Sequence, residues 1–227
     1  MFFVLLLIGT VLVPSVSLAW GPMTHAYLAN EVFAYAPLIP AGILALIKKY
    51  RQDFLYGNLM ADMILGKKYL PDEKNTHSWD VGFRLLDQAE MGSEQAFVYG
   101  FLCHLAADTV AHNTFTEETL NVEHAWLEMK ADSIINKAYW FQSVTISRAV
   151  QRRNDRFMED SLDRFMFSFN TNKRIFKGIV FLSLLNKKRK KTVDRNLMRR
   201  LHDESMSGII DLLRNGKKSE VLKKSPL

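Results

Sequence analysis

Five side chains between residues 104 and 128 set the chemistry to look for. His104, Asp108 and His112 recur at every fourth position, and twelve residues further on His124 and Glu128 repeat the spacing. Each residue of an α-helix advances by about 100°, so the first three fall within an arc of roughly 80° on one face. His124 and Glu128 share a face in the same way one helix later. Neutral imidazole nitrogens and carboxylate oxygens are the ligands zinc takes when no thiolate is offered. Two such faces imply more than one metal ion, and several ions together imply hydrolysis.

These residues need helices to hold them, and nearly the whole chain reads as helix. Pro22 opens a first helix over 22–36, and 42–50 reads as a short second one. Gly57, Gly66 and Pro71 make 51–74 read as loop with helical turns. Residues 76–90 place Trp79, Phe83, Leu86 and Ala89 at a helical period. The stretch 93–115 is apolar enough to be a buried central helix whose few polar groups are the candidate ligands. Glu117 and Glu118 open the helix carrying His124 and Glu128. Three more amphipathic helices read over 141–167, 172–186 and 192–214, the last stopped by Asn215-Gly216. The segment 217–227 reads as a disordered tail. No strand pattern, repeat or Pro/Gly-rich linker interrupts the chain, so the fold class is all-α, in one compact multi-helix domain over 20–227.

Residues 2–13 are an uncharged apolar run, too short for a bilayer span of about 20 residues and suited to a signal peptide over 1–19. Ser17-x-Ala19 offers a cleavage site that would make Trp20 the first mature residue and send the protein out of the cytoplasm. Because the run has no preceding Lys or Arg, an uncleaved membrane anchor is the alternative. A single cysteine, Cys103, excludes an intrachain disulfide. It lies to one side of the ligand face and reads as a buried structural thiol. Charge is uneven: residues 1–140 carry −6 and residues 141–227 carry +12. The acidic part holds the candidate ligands, as a site for divalent cations requires. The basic part suits anionic lipid, nucleic acid or simply solvent.

Of six histidines, five belong to one ordered series and His202 reads as a surface residue of a basic helix. The series is Trp20-Gly-Pro-Met-Thr-His25, Tyr56-Gly-Asn-Leu-Met-Ala-Asp62, Asn75-Thr-His77, Gly100-Phe-Leu-Cys-His104-x3-Asp108-x3-His112 and His124-x3-Glu128. In this order of residues the chain resembles the zinc-dependent phospholipase C family, and more distantly the zinc-dependent single-strand-specific nucleases of the same helical fold. The resemblance covers residues 20–130. It implies three zinc ions: one held by Asp62, His77, His104 and Asp108; a second by His112, His124 and Glu128; a third by the α-amino group and carbonyl oxygen of Trp20 with His25 and a shared Asp108. Cleavage before Trp20 then has a chemical meaning, because a free terminal amine is a ligand and a peptide nitrogen is not. Asp62 is also the candidate general base. Thr24, Asn75, Thr109 and Asn113 stand next to ligands and are candidates for orienting imidazoles.

The substrate stays open at this point. Glu128 closing the second site and the short gap from His112 to His124 favour phospholipid. So would an aromatic cage for a quaternary ammonium built from Tyr56, Trp79, Phe115 and Trp126. Residues 175–185, bounded by lysines and arginines, could lie on an anionic membrane surface. The short Trp20-x4-His25 spacing and the basic C-terminal half favour nucleic acid instead. A non-catalytic zinc or membrane-binding protein is the third alternative. No protein partner is implied, and the expected state is a monomer.

Overall fold

The computed structural model describes residues 20–64, 71–115, 132, 134–136, 138–139, 141, 145–162, 169–185 and 195–226. His124, Glu128, Trp126, the signal segment 1–19 and the basic run at 187–191 lie outside them. So do the side chains of Asn113 and Phe115. The described residues form eight α-helices, and there is no strand among them. They are α1 (Pro22–Glu31), α2 (Ala41–Lys49), α3 (Arg51–Met63), α4 (Trp79–Gln88), α5 (Gly92–Phe115), α6 (Arg148–Leu162), α7 (Phe169–Leu185) and α8 (Arg195–Asn215). A 3-10 segment, Val32–Leu38, follows α1, with Tyr35 off the helical backbone two residues before Pro37.

Helix α5 is the axle. Phe97, Val98, Phe101, Leu102, Cys103, Leu105, Ala106, Ala107 and Ala111 are all buried, so it is apolar all round and α1, α3, α4 and α8 pack about it. Its start is fixed by Glu94, whose Oε2 accepts from the amide of Met91 at 3.0 Å, one half of a capping box.

The closest packing is between α5 and α3, and here the sequence reading needs correcting. Residues 51–63 are a regular helix, not loop. Gly57 is a point of contact: a Cβ there would lie 2.7 Å from the Phe97 carbonyl carbon, with its oxygen nearer still. Gly100 faces the Phe54 carbonyl in the same reciprocal way. Two glycines thus let one backbone rest on the other and bring Asp62, near the end of α3, beside His104 and Asp108 on α5.

Two further expectations fail at the C-terminus. The tail is ordered: 3-10 turns at Gly216–Lys218 and Glu220–Lys223 bury Val221. The indole Nε1 of Trp79 donates to the Lys224 carbonyl at 2.9 Å. His202, expected on the surface, is buried beside Trp20 and Tyr27, with ring centroids 5.0 and 5.4 Å away. Basic neighbours along α8 conceal an apolar stripe of Met198, Leu201, Ile209 and Leu213, and His202 stands at its edge.

Candidate metal centre

Four elements meet at one buried point. Helix α5 presents His104 and Asp108 one turn apart, α3 presents Asp62, α1 presents His25, and the turn before α4 presents His77; all five are buried. The turn is shaped locally. The His77 amide donates to Asn75 Oδ1 at 2.9 Å, and the Thr76 hydroxyl donates to the Ala61 carbonyl at 2.9 Å, tying His77 to the helix end that carries Asp62.

One donor atom from each of Asp62, His77, His104 and Asp108 lies within 4.8 Å of the others. His77 Nε2 is 3.3 Å from Asp62 Oδ1 and 3.2 Å from Asp108 Oδ2. His104 Nε2 is 3.7 Å and 3.1 Å from the same two atoms, and 3.2 Å from His77 Nε2. Ligands about 2.0–2.1 Å from a tetrahedral zinc ion stand roughly 3.3 Å from one another. The donor set therefore fits a four-coordinate zinc ion in both its distances and its chemistry.

Asp108 faces two ways. Its Oδ2 points at His77 and His104, while its Oδ1 is 3.0 Å from His25 Nε2. His25 stacks on His104, with centroids 3.7 Å apart, and approaches Asp62 Oδ2 at 4.0 Å. A carboxylate divided in this way suits a bridge between two cations. Protonation agrees with ligation. Burial, with His104 alongside, lowers the His25 pKa, which favours the unprotonated ring that a metal ion requires. Burial alone would raise Asp108, but the charges of His104 and His25 and their hydrogen bonds outweigh it and hold the carboxyl well below its usual range.

The other sequence candidates divide. His112 is buried one turn beyond Asp108, while its expected companions His124 and Glu128 lie outside the described residues. Trp20 is buried, its indole Nε1 donating to Ser205 Oγ at 3.1 Å. Of the expected orienting groups, the Thr24 hydroxyl donates to Asp132 and the Thr109 hydroxyl to the Leu105 carbonyl, so these bonds serve backbone and carboxylate and not an imidazole. Tyr56 leaves the aromatic cage: it is buried beside Phe97 and donates to Asp155 at 2.5 Å. Burial pushes the Cys103 thiol pKa up, as befits a packed, unreactive sulfur.

A family model described as zinc dependent phospholipase C matches residues 24–177. The chain belongs to the zinc-dependent phospholipase C family. No curated protein and no solved structure gives a significant match. The family match spans His25, Asp62, His77, His104 and Asp108, and leaves Trp20 and the whole of α8 outside it. Membership of this family makes the chain a phospholipase C-like hydrolase by kinship, and the buried Asp–His cluster is where zinc would be held. No described helix is long and apolar enough to cross a membrane.

Two polar residues of this family member have roles that the spacing of the candidate ligands does not point to. Thr76 has no periodic signature, because its role is a single bond across a turn. Asp132 does have one: it continues the His124, Glu128 spacing by a further four residues.

Proposed function

We propose that the protein hydrolyses phospholipids as a phospholipase C, with a trinuclear zinc centre. The observation that carries this is the set of tetrahedral donor separations among Asp62, His77, His104 and Asp108, inside a chain of that family. Asp108, through its second oxygen, would share a further ion with His25 and the Trp20 terminus, and His112 would join His124 and Glu128 around another. When bound, zinc supplies Lewis-acid stabilisation of charge on phosphoryl oxygens and makes water more acidic.

The protein residues do the rest. Asp62, with its two oxygens facing His77 and His25, accepts the proton of the attacking water. The water oxygen bonds to phosphorus as the bond from phosphorus to the glycerol oxygen breaks. The leaving oxygen takes up a proton, releasing diacylglycerol and a phosphorylated headgroup. Asp108 stays ionised and holds three imidazoles in register. All five side chains are buried, so their charges and dipoles act in a setting of low dielectric.

Export with cleavage before Trp20 belongs to the same proposal, since it frees the amine that the third ion needs. The partner is then a lipid surface and the working form a monomer. The nuclease alternative is supported by the +12 charge of residues 141–227. A side-by-side assay on phosphatidylcholine vesicles, bis(p-nitrophenyl) phosphate and single-stranded DNA separates the two. Lipid turnover that is abolished in Asp62→Asn is expected. DNA hydrolysis without lipid turnover would replace phospholipid by nucleic acid, and fewer than two zinc ions per chain would remove the enzyme proposal.

A further inference from the structure

Helix α1 starts without a cap of its own. Its N-cap residue is Gly21, and no neighbouring side chain accepts from the first turn. The acceptor comes from far along the chain. Asp132 Oδ1 accepts from the Thr24 amide at 2.9 Å and the Thr24 hydroxyl at 2.8 Å, and its Oδ2 accepts from the Met23 amide at 3.1 Å. The carboxylate fills the space a larger residue 21 would need: a Cβ on Gly21 would lie within 2.6 Å of all three of its atoms. A carboxylate on two amides at a helix start is both an N-cap and a favourable partner for the helix dipole.

On the other side of Gly21, Trp20 is held by α8. Its indole donates to Ser205 Oγ at 3.1 Å and its ring packs on His202. Gly21 on its own would give the backbone before α1 the conformational freedom of glycine. Here Trp20 and Gly21 are fixed on both flanks. One turn along, the His25 amide donates to the Gly21 carbonyl at 3.1 Å, and His25 Nε2 reaches Asp108 Oδ1 at 3.0 Å.

We propose that Asp132 and Ser205 are positioning residues that clamp the Trp20-Gly21 backbone and the start of α1, and so set His25 and Trp20 against the outer oxygen of Asp108. The clamp rests on the cluster being a zinc centre. It predicts a division of labour: the four-donor site is built by α3, α5 and the His77 turn, while the His25 side of Asp108 depends on two residues that touch no donor group of the centre.

The test is to titrate the purified protein with zinc against a chromophoric chelator, in parallel with cobalt(II) substitution read by visible absorption. Asp132→Asn puts an amide N–H against a backbone N–H, Gly21→Ala displaces the carboxylate, and Ser205→Ala removes only the indole bond. All three are expected to weaken one metal equivalent by roughly 10–100-fold, the usual effect of losing an outer partner. The tight four-donor equivalent and its cobalt spectrum should persist. Thr24→Ser keeps the hydroxyl and should restore the wild-type pattern, which Thr24→Val should not. A purely structural clamp would weaken all equivalents alike or none, and either result overturns the proposal. So does a wild type that holds a single equivalent. A wild type that binds no zinc overturns the zinc centre itself. If Asp132→Asn and Gly21→Ala do not fold, Ser205→Ala decides alone by the same criterion.

Discussion

Replacing Gly57 with alanine should damage the metal centre without touching any residue in it. A Cβ at this position would stand 2.7 Å from the Phe97 carbonyl carbon, where two carbons in contact prefer about 3.7 Å. Helices α3 and α5 must therefore part locally by at least about 1 Å, and the nearer carbonyl oxygen asks for more. Asp62 lies five residues further along α3, and the donors it must meet lie on α5 and in the turn tied to Ala61. Zinc ligation tolerates about 0.2 Å, so a shift of this size should lower zinc affinity by roughly a hundredfold or more. Alanine's better helix propensity returns about 1 kcal/mol, and overpacking against backbone costs about 3 kcal/mol or more. The net loss should be about 2 kcal/mol. Urea unfolding of the metal-free protein reads the stability, and chelator competition reads the affinity. Gly178→Ala is the control: nothing lies within 4 Å of its Cβ position on α7, so stability should rise by up to about 1 kcal/mol with zinc binding unchanged. A Gly57→Ala protein as stable as wild type, with wild-type zinc affinity, would refute the close-approach explanation.

Chelation should lower the melting temperature, because the buried carboxylates lose their cation; zinc at about 100 times its Kd adds roughly 2.7 kcal/mol per site, and identical melting in chelator and in zinc would count against the centre. Burial lowers the His202 pKa from 6.5 to about 4. The unfolded chain therefore takes up this proton first, and stability present above pH 6.5 is lost as pH falls toward 4, by up to roughly 3 kcal/mol. His202→Phe should flatten that part of the curve for the metal-free protein, measured by denaturation across the same range. Asp53, buried at the start of α3, accepts from Arg153 Nε at 2.7 Å and Asn154 Nδ2 at 2.8 Å. Asp53→Ala should cost about 2–3 kcal/mol in urea unfolding; the Arg153 side chain, 42% exposed, can rehydrate and keep the loss below that of a fully buried pair.

How much the sequence disclosed depended on the range of each interaction. The helical fold and the buried central helix were legible because periodicity is local, and the boundaries of α2, α5 and α8 fall close to those expected from it. His104 and Asp108 announced themselves by a spacing within one helix. Asp62 and His77 were reached through resemblance, and only three dimensions bring them to α5. Gly57 was misjudged as a helix breaker because glycine in isolation is one; its reason for being there sits on another helix, at Phe97. His202 and the tail were misjudged for a similar reason. Their charged neighbours pointed to solvent, while Trp20 and Trp79, which cover them, lie more than a hundred residues away. Asp132 is a further case, its partners Met23 and Thr24 standing 109 and 108 positions earlier in the chain.

The bond between Trp20 and Ser205 spans 185 positions, and that distance orders events in time. A chain made from its N-terminus has presented His25, Asp62, His77, His104 and Asp108 long before residue 205 exists to receive the indole. The four-donor cluster can close early, from neighbouring helices, whereas the Trp20 side must wait for nearly the last helix. On the proposed three-ion centre, a chain cut short before α8 would still assemble the four-donor cluster but would lack the Ser205 contact that holds Trp20 in place.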